Sequence, residues 1–171
     1  MEVNRMSYLL KTVAIIASLL VMAGCGVLSN TTRTDVSGYP YRHTDFDYKY
    51  AWKTTATDNG LLIEGALKNV RYAFINSVQM EVNVLNKDGK IVATSKDYPM
   101  PQQTRESEVC FFSLMFKDVK PVPGDILRFQ VHYTGNEGGN KSGVDWYSSF
   151  KADALTGTAI LPQSKKTDGW W

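Results

Sequence analysis

Only two cysteines and two histidines occur among the 171 residues, and this scarcity excludes a good deal of chemistry. Neither His43 nor His132 has a second ligand at helical or hairpin spacing, so no metal site is expected. Every serine-hydrolase triad would have to recruit one of these two histidines, and no Gly-x-Ser-x-Gly elbow accompanies them. Basic and acidic residues are nearly balanced at 19 and 17, with no dense basic cluster. Nucleic acid is therefore not an expected partner. The N-terminal apolar run, residues 12–22, is shorter than the roughly 20 residues a helix needs to span a bilayer.

That run has a specific context. Arg5 and Lys11 give it a positive leader, and it closes on Leu20-Val21-Met22-Ala23-Gly24-Cys25. Small residues before Cys25 leave room for one enzyme to reach the thiol and for another to close around the preceding bonds. The stretch resembles the lipobox of bacterial lipoprotein signal peptides, Leu-[Ala/Ser/Thr/Val]-[Gly/Ala]-Cys, with Met22 where Leu is usual. The resemblance implies a signal peptide over 1–24, cleavage before Cys25, and a diacylglyceryl group on its thiol, often with a third chain on the new amino terminus. Two or three acyl chains anchor firmly where one holds marginally, at about 0.8 kcal/mol per buried methylene. In a Gram-negative host, Gly26 in place of a retention Asp implies transfer to the outer membrane, facing the periplasm. In a Gram-positive host the outer face of the cytoplasmic membrane is implied. No cofactor is expected beyond the covalent lipid on Cys25.

With Cys25 acylated, Cys110 has no intrachain partner, and the fold must stand on packing alone. Cys110 lies in the apolar stretch Val109-Cys110-Phe111-Phe112, which predicts a buried, inert thiol. Residues 25–45 are rich in Ser, Thr and Asn without helical or strand periodicity, and they read as the lipidated cysteine and a flexible tether.

From residue 46 the pattern has period two. Phe46, Tyr48, Tyr50 and Trp52 alternate with polar neighbours, and after the turn Asp58-Asn59-Gly60 the residues Leu61, Ile63, Gly65 and Leu67 do the same. Val78, Met80, Val82 and Val84 share one face of a third strand, since a helix would scatter them. Asn86-Lys87-Asp88-Gly89 turns this strand into a hairpin with residues 90–98, which Pro99 and Pro101 end. Cys110, Phe112, Leu114 and Phe116 follow, then Leu127, Phe129, Val131 and Tyr133, then Val144, Trp146, Ser148 and Phe150. The expected fold is all-β, a single immunoglobulin-like antiparallel β-sandwich of about seven strands over 46–152, with a C-terminal tail over 153–171. Val82-Asn83-Val84-Leu85-Asn86 followed by Gly89 also resembles the strand and turn of the FxLYD-type bacterial envelope domain. That resemblance, over roughly 61–133, implies a small sandwich of no established catalytic role.

Other motifs resolve into structure. Gly135-Asn136-Glu137-Gly138-Gly139-Asn140-Lys141-Ser142 approaches a phosphate-binding loop, but Asn140 replaces a required glycine and a strand follows where a helix is needed. It reads as a hairpin loop. Met80, Met100 and Met115 read as packing residues rather than copper ligands, and 86–89 lacks the carboxylates of a calcium loop. Asp45 and Asp47 read as a solvated charged face beside Lys49. The candidate interaction residues are Tyr39 and Tyr41, off the strand pattern, and the terminal pair Trp170 and Trp171. The expected function is a membrane-anchored, non-catalytic cell-envelope lipoprotein whose sandwich is a protein interaction or assembly module. Its expected partners are the membrane, through the lipid, and an envelope protein. The alternative is a glycan- or peptidoglycan-binding module using exposed aromatics.

Overall fold

The computed structural model describes residues 35–136 and 143–160. Cys25, Trp170 and Trp171 lie outside these residues, as do most of the signal and tether segments and the tip of the glycine-rich loop. Eight strands run in chain order: β1 (Tyr41–Thr44), β2 (Tyr48–Thr57), β3 (Gly60–Asn69), β4 (Phe74–Leu85), β5 (Ile91–Asp97), β6 (Val109–Lys117), β7 (Ile126–Asn136) and β8 (Val144–Asp153). They form two four-stranded antiparallel sheets, ordered β1-β2-β3-β6 and β5-β4-β7-β8. The chain changes sheet after β3, β5 and β6, which are the Greek-key crossings of an immunoglobulin-like sandwich.

Alternation determines what fills the space between the sheets. Tyr48, Tyr50, Trp52, Ile63, Leu67, Met80, Val82, Leu114, Phe129 and Val131 are all within 1% of complete burial. Trp52 sits at the centre, with Phe129 and Phe150 at ring separations of 5.3 and 5.4 Å. The hairpin at 86–89 forms as expected. Asn86 Oδ1 accepts the amides of Asp88 and Lys90, and Gly89 takes the left-handed φ of 76° that the turn requires.

Four placements differ from the sequence expectation. An eighth strand exists because Tyr41–Thr44 pairs with β2, putting Tyr41 against Trp52 at 6.0 Å and stacking His43 on Phe150 at 4.1 Å. The ordered domain therefore starts before residue 46. Val36 and Tyr39 form a strap that is buried on the outer face of the first sheet, over Ala51, Ala66 and Val109. The two alanines are what allow this approach, since larger side chains there would hold the strap off.

The domain also ends later than residue 152. Ala159 bridges to Ala152, the Ile160 amide donates to the Lys151 carbonyl at 2.7 Å, and Ala154 is buried. Gly157 has φ 76°, and a Cβ there would fall 2.3 Å from the Tyr41 ring. The segment expected to be a tail thus clamps β1. Finally, Phe46, Met100 and Met115, expected to pack, are 80%, 63% and 42% exposed. Phe46 precedes β2 rather than belonging to it, and Met115 follows the inward Leu114 on the opposite face.

Candidate functional site

The turn 45–47, the loop 70–73 and the start of β8 meet at one end of the sandwich. Asp45 and Asp47 do not form a solvated face there. The turn breaks strand parity, and both carboxylates point into the structure, where backbone and side-chain donors need acceptors. Asp45 Oδ1 accepts the amides of Asp47 at 3.0 Å and Tyr48 at 2.7 Å. Its Oδ2 accepts the Tyr50 hydroxyl at 2.6 Å and the Ser148 hydroxyl. Asp47, 7% exposed, accepts Arg71 Nη1 at 2.8 Å on Oδ1 and the Tyr133 hydroxyl on Oδ2. Burial, reinforced by these carboxylates, raises the pKa of both Tyr50 and Tyr133, so the phenols stay protonated and donate. The cluster is a set of paired charges and hydrogen bonds joining the two sheets.

Its outer surface has a different character. Buried Asn69 shapes the loop by accepting the Arg71 amide at 2.8 Å and donating to the Ala73 carbonyl at 3.0 Å. The Arg71 guanidinium, fixed on Asp47, lies 4.3 Å from the centre of the Trp146 ring and 5.1 Å from that of Phe46. Such stacking is electrostatically favourable and holds the group in one orientation. Phe46 and Tyr72 beside it are 80% and 88% exposed. An arginine pinned against Trp146 and Phe46, with the rings of Phe46 and Tyr72 open to solvent, is suited to recognition.

Sequence reasoning missed this group. Phe46 and Trp146 were assigned to strand faces, and Arg71 and Tyr72 were passed over. A usable signal was the polar loop after β3 carrying an arginine and a tyrosine together. The candidates it did name are placed otherwise. Tyr39 is 9% exposed as part of the strap on the first sheet, and the half-buried Tyr41 packs on Trp52 and Gly157, so neither ring is an open platform. Trp170, Trp171 and the lipidation candidate Cys25 lie outside the described residues.

The remaining reactive groups lie elsewhere. Among the described residues no group of three or more His, Cys, Asp or Glu side chains is placed to hold a metal ion. Cys110 is fully buried, and that burial pushes its thiol pKa up to about 12. Cys110 is accordingly expected to resist a thiol reagent at pH 8 in the native protein and to react at once in denaturant, as read by absorbance. His132 is exposed, whereas burial lowers the pKa of His43 against an opposing effect of Asp45. Because the folded state prefers neutral His43, the unfolded state binds more protons once pH falls below the free-histidine value of about 6.5. Stability is expected to decline from pH 7 to pH 5, and His43→Phe, which keeps the stack on Phe150, should flatten that part of a melting-temperature profile. At the other end of the sandwich, Thr54, Leu61, Val119, Lys120 and Leu155 line an open cavity of about 300 Å³.

No family model matches the chain, and no curated protein matches it. Among solved structures it is similar to the GAE domain of GGA2p from Saccharomyces cerevisiae, at 8% identity and a TM-score of 0.40, over 73% of this chain and 100% of that one. It is also similar to a calcium-binding mutant of β-glucuronidase 2 from Bacteroides uniformis, at 17% identity and a TM-score of 0.37, over 61% of this chain. The match spans 13% of the glucuronidase. At these values neither likeness bears on the site.

Proposed function

We propose that the protein is a lipid-anchored lipoprotein of a bacterial cell envelope, and that its sandwich is a non-catalytic protein interaction or assembly module. Its working surface is the loop end carrying Phe46, Arg71, Tyr72 and Trp146. The observation that carries this reading is the Arg71 stack, a guanidinium 4.3 Å from Trp146 and 5.1 Å from Phe46 beside the exposed ring of Tyr72. Arginine and aromatic side chains dominate binding energy at protein interfaces, and fixing them beforehand reduces the entropy lost on association. The carboxylates closest to it are engaged by Arg71, Tyr50, Tyr133 and Ser148, which supports a structural rather than an acid-base role. The stretch Met22-Ala23-Gly24-Cys25 supports attachment through acyl chains, on the outer membrane facing the periplasm in a Gram-negative host.

A photo-crosslinking residue placed at Tyr72 in cells tests the interaction surface. One discrete protein adduct is expected from Tyr72, absent from the same probe at Ser149 and lost when Arg71→Ala is added. No adduct, or one indifferent to Arg71, would contradict it. The open rings of Phe46 and Tyr72 also suit stacking on sugars, and retention of the purified protein on peptidoglycan, abolished by Phe46→Ala and Tyr72→Ala, would support that second reading instead.

A further inference from the structure

Two open sheets leave four edge strands, β1, β6, β5 and β8, and three of them are covered or short. On β6, Met100 and Phe111 exchange both amide bonds, at 2.9 and 2.8 Å, so the segment after β5 lies along that edge. On β8, Ala159 bridges Ala152, and the Ile160 amide donates to the Lys151 carbonyl at 2.7 Å. β1 has four residues, and a very short edge is a poor template for a further strand.

β5 is different. Its seven residues pair with β4 on one side, and among the described residues no backbone hydrogen bond reaches them on the other. Every second residue of such a strand turns its N–H and C=O toward solvent, where another chain can pair with them. Ile91 and Val92 on the strand, and Tyr98 and Met100 just beyond it, are each more than half exposed, so apolar surface accompanies the open ladder. Edge strands are commonly guarded by charge. Here both charges of the strand are engaged within the chain, Lys96 on Glu81 at 2.8 Å and Asp97 on the Ser113 amide at 2.7 Å.

The strand is complementary to itself. Thr94 is its exposed middle residue, and a two-fold axis through Thr94, perpendicular to the sheet, pairs all of β5 with the antiparallel β5 of a second copy. Thr94 then faces Thr94, Val92 faces Lys96, Ala93 faces Ser95 and Ile91 faces Asp97, so no like charges are opposed. An axis at Ala93 would set Lys90 against Lys96, and one at Lys96 would set that lysine against itself, both unfavourable. We propose that two copies of this chain join through β5 in the Thr94-centred register, merging their two four-stranded second sheets into one of eight strands. Trp146 of the Arg71 stack lies on β8, at the opposite edge of the sheet, so the dimer would carry its two recognition ends away from the junction. Neither the acyl anchor nor the Arg71 surface is needed for this pairing.

Sedimentation equilibrium of the protein purified from its own cells, in density-matched detergent, tests the pairing. A reversible dimer is expected. Thr94→Lys and Thr94→Glu should each weaken it about tenfold, because each sets like charges opposite one another on the axis. An equimolar mixture of the two variants should restore association, a result that misfolding of either variant cannot produce. In cells, Thr94→Cys should oxidise to a covalent dimer of this chain, since directly opposed strand residues stand about 5.5 Å apart between Cα atoms, within disulfide reach, and Ser149→Cys should not. A protein that stays monomeric, with no disulfide at position 94, overturns the proposal. A dimer indifferent to both charges overturns the assignment to β5, and a disulfide from position 94 to a different protein overturns the second copy in favour of a foreign strand.

Discussion

Replacing Asp47 by alanine is expected to destabilise the domain by about 3 kcal/mol, which corresponds to a fall of roughly 10 °C in melting temperature. Asp47 is 7% exposed and accepts from both Arg71 and the Tyr133 hydroxyl. Its removal leaves a largely buried guanidinium without its carboxylate and a buried phenol without its acceptor. The loss is large because the partners left behind have been taken out of water, not because an ion pair is intrinsically strong. Asp47→Ala/Arg71→Ala should therefore recover part of the stability, since it removes the orphaned charge. Thermal unfolding of the two variants checks this, and a single-variant loss below about 1 kcal/mol would mean the cluster is not a structural joint.

Trp52→Ala is expected to cost about 4 kcal/mol, a large share of the 5–15 kcal/mol typical of a folded domain. The ring has no exposed surface and is packed by Phe129, Phe150 and Tyr41, so deletion leaves a cavity that residues from both sheets would have to fill. The damage should spread to β1, because Tyr41 loses its packing surface while Gly157 confines it from the other side. Trp52→Phe should lose much less. Denaturant titrations read by circular dichroism give both values, and amide exchange at residues 41–44 should accelerate in the alanine variant before the rest of the first sheet opens.

The strands with strict alternation were legible in the sequence. Val78 to Val84, Cys110 to Phe116 and Leu127 to Tyr133 each repeat an apolar residue every second position, and one buried face is the only arrangement that suits them. The Gly89 hairpin followed from local turn chemistry. What escaped was made by contacts between distant segments. Tyr41–Thr44 has too few residues to show a period, and its place depends on Trp52, Phe150 and Gly157. Extending the strand pattern back to Phe46 put Asp45 and Asp47 on a solvated face, whereas β2 begins at Tyr48 and the turn before it directs both carboxylates inward. The Arg71 stack needs three separate chain segments at one end of the sandwich. Each is unremarkable alone, so no local pattern marks the site.

The proposed function depends on Cys25, because an acyl anchor there is what would hold the sandwich at a membrane. Mass spectrometry of the N-terminal peptide, from protein purified out of the membranes of its own cells, tests this most directly. The mature chain is expected to begin at Cys25 and to carry a diacylglyceryl group on the sulfur, which Cys25→Ser abolishes together with processing. A chain that begins at another residue, or at Cys25 with a free thiol, would contradict the account.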